Sequence, residues 1–97
     1  MRKADIVQRI AEATGWSHTL AAEAVDAVLA TIKAGLQQGD AVILRRFGTW
    51  HVRAKRARVG RNPRSGAAAA IAARRIVRFT ASQTLKQAVE GAATPAN

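Results

Sequence analysis

Between Arg45 and Arg78 the chain carries eleven basic residues and no acid, and ten of the eleven are arginine. Guanidinium groups without carboxylate partners cannot be packed into an apolar core, because desolvating an unpaired charge is costly. This segment must therefore face water or an anion. Residues 53–76 also hold almost no bulky apolar side chains, so they have no face to bury. They are expected to form a hairpin arm that projects from a body, since a two-stranded ribbon is marginal by itself in water. At 97 residues the chain makes one domain. It is expected over 1–91, with the arm at about 53–76 and a disordered tail at 92–97.

The charge is distributed unevenly. Residues 1–40 hold four basic groups (Arg2, Lys3, Arg9, Lys33) against five acids (Asp5, Glu12, Glu23, Asp26, Asp40). Residues 41–97 hold twelve basic groups and Glu90 as their acid, and the whole chain has a formal charge of +10. A solubilising surface mixes both signs. A half-chain excess of arginine points to a polyanion, because the planar guanidinium donates paired hydrogen bonds to phosphate and stays protonated. With no cysteine, disulfides, thiolate catalysis and thiolate metal sites are excluded. No stretch is long and apolar enough for a membrane helix, so no membrane partner is expected. Met1-Arg2-Lys3 runs into Asp5, Arg9 and Glu12 instead of the apolar core of a secretory leader, which predicts a cytoplasmic location. Hydrophobic residues make up 48% of the chain, enough for a folded core, but about half are alanine. A core that thin favours oligomerisation.

Helical periodicity over 3–14 (Ile6, Val7, Ile10, Ala11) predicts a first helix with Gly15 as its stop. Ser17 is placed to cap a second helix over about 18–38, with an apolar stripe of Ala21, Val25, Val28, Ile32 and Leu36. Gly35 within that helix is expected to mark a close helix contact. After Gly39-Asp40 the pattern changes to strand: an apolar run at 41–44, a turn at Arg45-Arg46, and a strand resuming at Phe47. Apolar and basic positions exchange parity after Arg56, which predicts a β-bulge. Gly60-Arg61-Asn62-Pro63-Arg64-Ser65-Gly66 is dense in turn formers. The chain returns through 67–73, rejoins the sheet from Arg74 to Phe79, and ends in a short helix capped by Ser82 and stopped at Gly91. Phe47, Phe79, Trp16 and Trp50 are expected in the core. His18 and His51 have no acid or nucleophile at useful spacing and are expected on the surface, with no metal and no cofactor.

These residues carry a family resemblance. Lys3-Ala4-Asp5, Gly39-Asp40, Phe47-Gly48-Thr49, Gly60-Arg61-Asn62-Pro63 with Gly66, the run from Ala73 to Phe79, and Leu85-Lys86 together resemble the HU/integration-host-factor family of bacterial nucleoid proteins. The resemblance covers 1–90 without gaps. It implies an α+β fold: an intertwined dimer with a helical base, a β-sheet saddle and two protruding β-ribbon arms that enter the minor groove of double-stranded DNA. It also implies that Pro63 wedges between base pairs at the arm tip. The DNA-binding residues expected on these grounds are Lys3, Arg46, Arg53, Lys55, Arg56, Arg58, Arg61, Asn62, Pro63, Arg64, Arg74, Arg75, Arg78 and Lys86. Arg75 cannot share a strand face with Arg74 and Arg78, so one of these sets is a spectator.

The chain departs from the family pattern at several positions. Alanines at 67–70 stand for a polar, often acidic stretch, and Ala72 for a proline. Thr80-Ala81-Ser82 replaces a basic Pro-Gly turn, Leu20 an acidic capping partner, and Arg46 a frequent glycine. The run from Ala73 to Phe79 is closer to the alpha subunit of integration host factor, while the rest is as similar to HU. The expected function is an architectural binder that bends and compacts DNA with low sequence specificity, acting as a homodimer in the bacterial nucleoid. The alternative is a sequence-selective subunit paired with a paralogue. An RNA-binding role is disfavoured by the lack of an aromatic pair for base stacking. An enzyme acting on nucleic acid is disfavoured by the lack of clustered acids in the basic half.

Overall fold

The computed structural model describes residues 1–61, 64–66 and 68–93. Helix α1 spans Lys3–Thr14 and α2 spans His18–Gln37. Strands follow as β1 Val42–Leu44, β2 Gly48–Lys55, β3 Arg58–Arg61, β4 Ala68–Ile71 and β5 Arg74–Ala81, and helix α3 spans Gln83–Ala93.

Each helix is delimited by the residues its sequence offers. The backbone N–H of Arg2 donates to Asp5 Oδ2 at 2.6 Å, and Gly15 closes α1 at φ 76° with its N–H on Ala11 O. Ser17 Oγ accepts from the Leu20 N–H at 3.1 Å, and Ser82 Oγ accepts from the Leu85 N–H at 3.1 Å. Each side-chain oxygen satisfies one of the donors a helix start leaves free. Helix α3 continues past Gly91 to Ala93, so the expected stop falls two residues early and helix covers the start of the segment expected as tail.

Two helices pack on each other through Val7, Ala21 and Val25, with Ile10, Ala11 and Ala22 around them. Among the described residues these three are the buried hydrophobic core. The radius of gyration is 19.4 Å, against roughly 13 Å for a compact chain of this length. The molecule is extended, and a single copy covers little of its apolar surface.

One antiparallel sheet has the order β1-β2-β5, and β3 pairs with β4 in a separate two-stranded ribbon. Trp50, Val52 and Ala54 lie opposite Phe79, Val77 and Arg75, and Val42 lies opposite Trp50. This face is turned to α2: a Cβ on Gly35 would sit 3.4 Å from Val42 Cγ2, and Leu29, Ile32, Leu36, Val52 and Val77 line one shared groove. Gly35 thus faces a strand, and not the second helix its position led one to expect.

Phe47, Trp50 and Phe79 cluster with ring centroids 4.7–5.9 Å apart. They are placed where a core is expected, yet Phe47 and Phe79 remain 45% and 43% exposed in one chain. Trp16 is likewise exposed, beside Ile6, Ile10, Val28 and Leu29 in an open apolar hollow.

No bulge occurs at the expected place. Lys55 pairs with Arg74 and Arg58 with Ile71, so the register carries across unchanged, with two residues unpaired on each strand (56–57 and 72–73). A bulge would have put an extra residue on one strand only. The parity exchange in the sequence coincides instead with a symmetric interruption of the ladder. Beyond it, Gly60 and Arg61 belong to β3 and not to a turn. Gly60 lets Ile71 lie close over the ribbon, since a Cβ there would sit 2.8 Å from Ile71 Cδ1 and push that terminal methyl aside.

Candidate nucleic-acid interface

The register decides which cations act together. Side chains alternate across a strand, so β2 and β5 place Thr49, His51, Arg53 and Lys55 on the outer face together with Thr80, Arg78, Ile76 and Arg74. Arg53, Lys55, Arg74 and Arg78, all expected site residues, thus share one surface that faces away from α2. His51 lies directly opposite Arg78, and Lys55 directly opposite Arg74. The like charges of Lys55 and Arg74 repel across the ladder, and an anion laid along this face would relieve that repulsion.

Ile43, on the same side as Thr49, is 73% exposed. Ile43, Thr49, His51 and Thr80 were not expected site residues. Nothing in their types marks them, and the register through Thr49 and Thr80 is what places them on the cationic face.

The cationic face continues toward the arm. Arg56 lies in the unpaired break, and Lys55, Arg56, Arg58 and Arg74 surround a hollow beside Ile71. Arg58 and Arg61 stand on β3 opposite Ile71 and Ala68. Adjacent β-strand residues point to opposite sides, so Arg58 and Gly60 share one face of the ribbon while Val59 and Arg61 share the other. The partner strand β4 presents Ala68, Ala69 and Ala70, leaving a thin ribbon whose long side chains are mainly arginine. Arg64 sits in the turn before Gly66, which adopts φ 69°. Asn62 and Pro63 lie outside the described residues.

Four expected residues are not on this strand face. Arg75 points to the opposite face, where its Nη2 donates to Leu36 O at 3.2 Å and Gln37 O at 3.1 Å. It is bound to the helical base and does not share the surface of Arg74 and Arg78. Of the two sets the sequence could not rank, Arg75 is the one turned toward the helical base. The Lys3 ammonium forms an ion pair with Asp26 that joins the start of α1 to α2. Arg46 occupies the β1–β2 turn at φ 67°, a left-handed conformation that accounts for the frequent glycine there. Lys86 is exposed on α3.

Among the described residues no group of three His, Cys, Asp or Glu side chains is arranged to hold a metal ion. No helix among them is long and apolar enough to cross a membrane.

A helical base, a three-stranded sheet with one cationic face, and an arginine-rich two-stranded arm define an α+β protein built to lay a basic surface along an extended anion. The chain belongs to the bacterial DNA-binding protein family, whose model matches residues 1–90; this is the HU/integration-host-factor family of architectural, non-enzymatic proteins. It is 45% identical over 95 residues to the integration host factor subunit alpha of Myxococcus xanthus, covering 98% of this chain and 74% of that one. It is 46% identical over 88 residues to the DNA-binding protein HU of Streptococcus pyogenes, covering 91% and 97%. The fold is similar to a cocrystal structure of Anabaena HU with DNA, at a TM-score of 0.81 and 33% identity, covering 98% of this chain and 100% of that one.

Proposed function

We propose that two copies of this chain pair through the apolar surfaces a single copy leaves open, and that the dimer bends duplex DNA across its cationic saddle and arms. The observation that carries this reading is the common outer face of Arg53, Lys55, Arg74 and Arg78, continuous with an arm free of acids. Pairing covers Phe47, Trp50 and Phe79, which no single chain buries. Phosphate contacts from the saddle hold the duplex, and the arms enter the minor groove. Its base-pair code there is degenerate, consistent with low sequence specificity. Pro63 at the arm tip unstacks one step per arm, at a cost of a few kcal/mol that the backbone contacts offset. The site of action is the bacterial nucleoid, in the cytoplasm. The domain responsible is residues 1–91, extended to Ala93 by α3.

A second reading, a sequence-selective subunit that works beside a paralogue, is favoured by the 45% identity to integration host factor subunit alpha. The oligomeric state separates the two. A chain that elutes as a dimer and binds duplex alone supports the first, and one that needs a partner subunit supports the second.

The test of bending is binding to two duplexes of about 35 base pairs, one intact and one nicked, across a salt titration. If six to ten phosphates are neutralised, affinity falls roughly 10³–10⁵-fold between 50 and 200 mM salt. Tighter binding to the nicked duplex is expected, because it is cheaper to deform. Equal affinity for both would mean a protein that coats DNA without bending it. Pro63→Ala is expected to keep most of the affinity and reduce the bend measured by fluorescence transfer between the duplex ends; an unchanged bend removes the wedge role. Competition between equal lengths of duplex DNA and structured RNA checks the choice of polyanion.

A further inference from the structure

The carbonyls of the last turn of α2 are those of Ala34, Gly35, Leu36 and Gln37. The Gln38 N–H bonds to Ala34 O at 3.2 Å, the Gly39 N–H to Leu36 O at 3.0 Å and the Asp40 N–H to Gly35 O at 3.0 Å. This is a Schellman closure, and Gly39 at φ 84° supplies the left-handed residue it requires. The closure leaves Gln37 O and one lone pair of Leu36 O, and Arg75 Nη2 donates to both. The guanidinium also sits at the negative end of the helix dipole, where a cation is stabilised. The residue opposite Arg75 in the ladder is the small Ala54, and Nη2 lies close to Gly39, 3.6 Å from where its Cβ would be.

The position of this contact gives it a consequence. Strand β1 supports β2 only over Gly48–Trp50, so from His51 to Lys55 the pair β2 and β5 runs on as a two-stranded ribbon. Its last ladder pair before the break is Lys55 with Arg74, next to Arg75. We propose that Arg75 is a positioning residue that fixes the root of the arm to the end of α2, and so sets the angle at which the arm leaves the body and the bend imposed on DNA, without itself neutralising a phosphate. The part concerning DNA rests on the bending function proposed above.

Two measurements on the full-length chain test it. In the free protein, amide hydrogen exchange at 36–39, 53–55 and 74–76 is expected to quicken at least tenfold in Arg75→Ala, and in Arg75→Lys to fall between that variant and the wild type. Exchange unchanged in Arg75→Ala overturns the tether. On an end-labelled 35-base-pair duplex, Arg74→Ala is expected to lower the salt slope by about one for each arm and keep the bend. Arg75→Ala is expected to keep the slope while energy transfer falls toward that of free duplex, and Arg75→Lys to recover part of it. A slope lowered by about one per arm in Arg75→Ala, with transfer unchanged, makes Arg75 a phosphate contact and overturns the proposal. A wild type that leaves the duplex straight removes the bending reading, and exchange still decides whether Arg75 holds the arm root.

Discussion

In the base, Val7, Ala21 and Val25 close a small core between α1 and α2, and the nearby charges are mixed in sign. In the arm, no described side chain of β3 or β4 is buried, and every charged residue of those two strands is an arginine. The base is held by side chains, whereas the arm is held by its backbone ladder and by Ile71 lying over Gly60. The difference teaches where change is tolerated. A substitution in the base is expected to act on folding, and one in the arm on DNA binding.

Gly48→Ala tests the first half of that contrast and has the largest expected effect. A Cβ there would lie 2.5 and 2.6 Å from the Phe79 ring and 2.6 Å from Thr80 O, and backbone cannot easily yield. A loss of about 3 kcal/mol is expected, the upper part of the range for overpacking, read as a lower denaturation midpoint. Ser17→Ala removes the α2 cap and is expected to cost about 1 kcal/mol by the same measurement, with DNA binding by the folded protein unaltered.

Arg46→Gly sits at the junction between the two behaviours. It relieves a left-handed arginine and is expected to raise stability by about 1 kcal/mol in thermal unfolding. Arg58→Ala tests the second half and has the smallest effect on folding. Unfolding is expected to stay within about 0.5 kcal/mol of wild type. The slope of affinity against salt is expected to fall by about one for each arm. An Arg58→Ala chain that unfolds well below wild type would show that the arm contributes to the fold, and the contrast would fail.

The helices and the site were legible to different depths. Both serine caps, the Gly15 stop and the helical stripe follow from local rules, because capping and periodicity involve residues three or four apart. The strand boundaries near the arm were less legible. The parity exchange after Arg56 was visible, but a bulge and a symmetric break have the same imprint on one strand; the partner strand distinguishes them. By sequence His51 is a lone residue, and only its pairing with Arg78 brings it to the cationic face.

What the sequence by itself determined is the partition into a charge-mixed helical base and an arginine arm, together with the family and the polyanion it implies. Unpaired charge cannot be buried, and a ribbon without bulky apolar residues has nothing to bury. What only the tertiary structure decided is the side of the sheet on which each arginine of β5 lies. Alternation separates Arg75 from Arg74 and Arg78, but it does not say which side meets the helix. That was settled where α2 ends with two carbonyls facing β5, and the guanidinium on that side satisfies them.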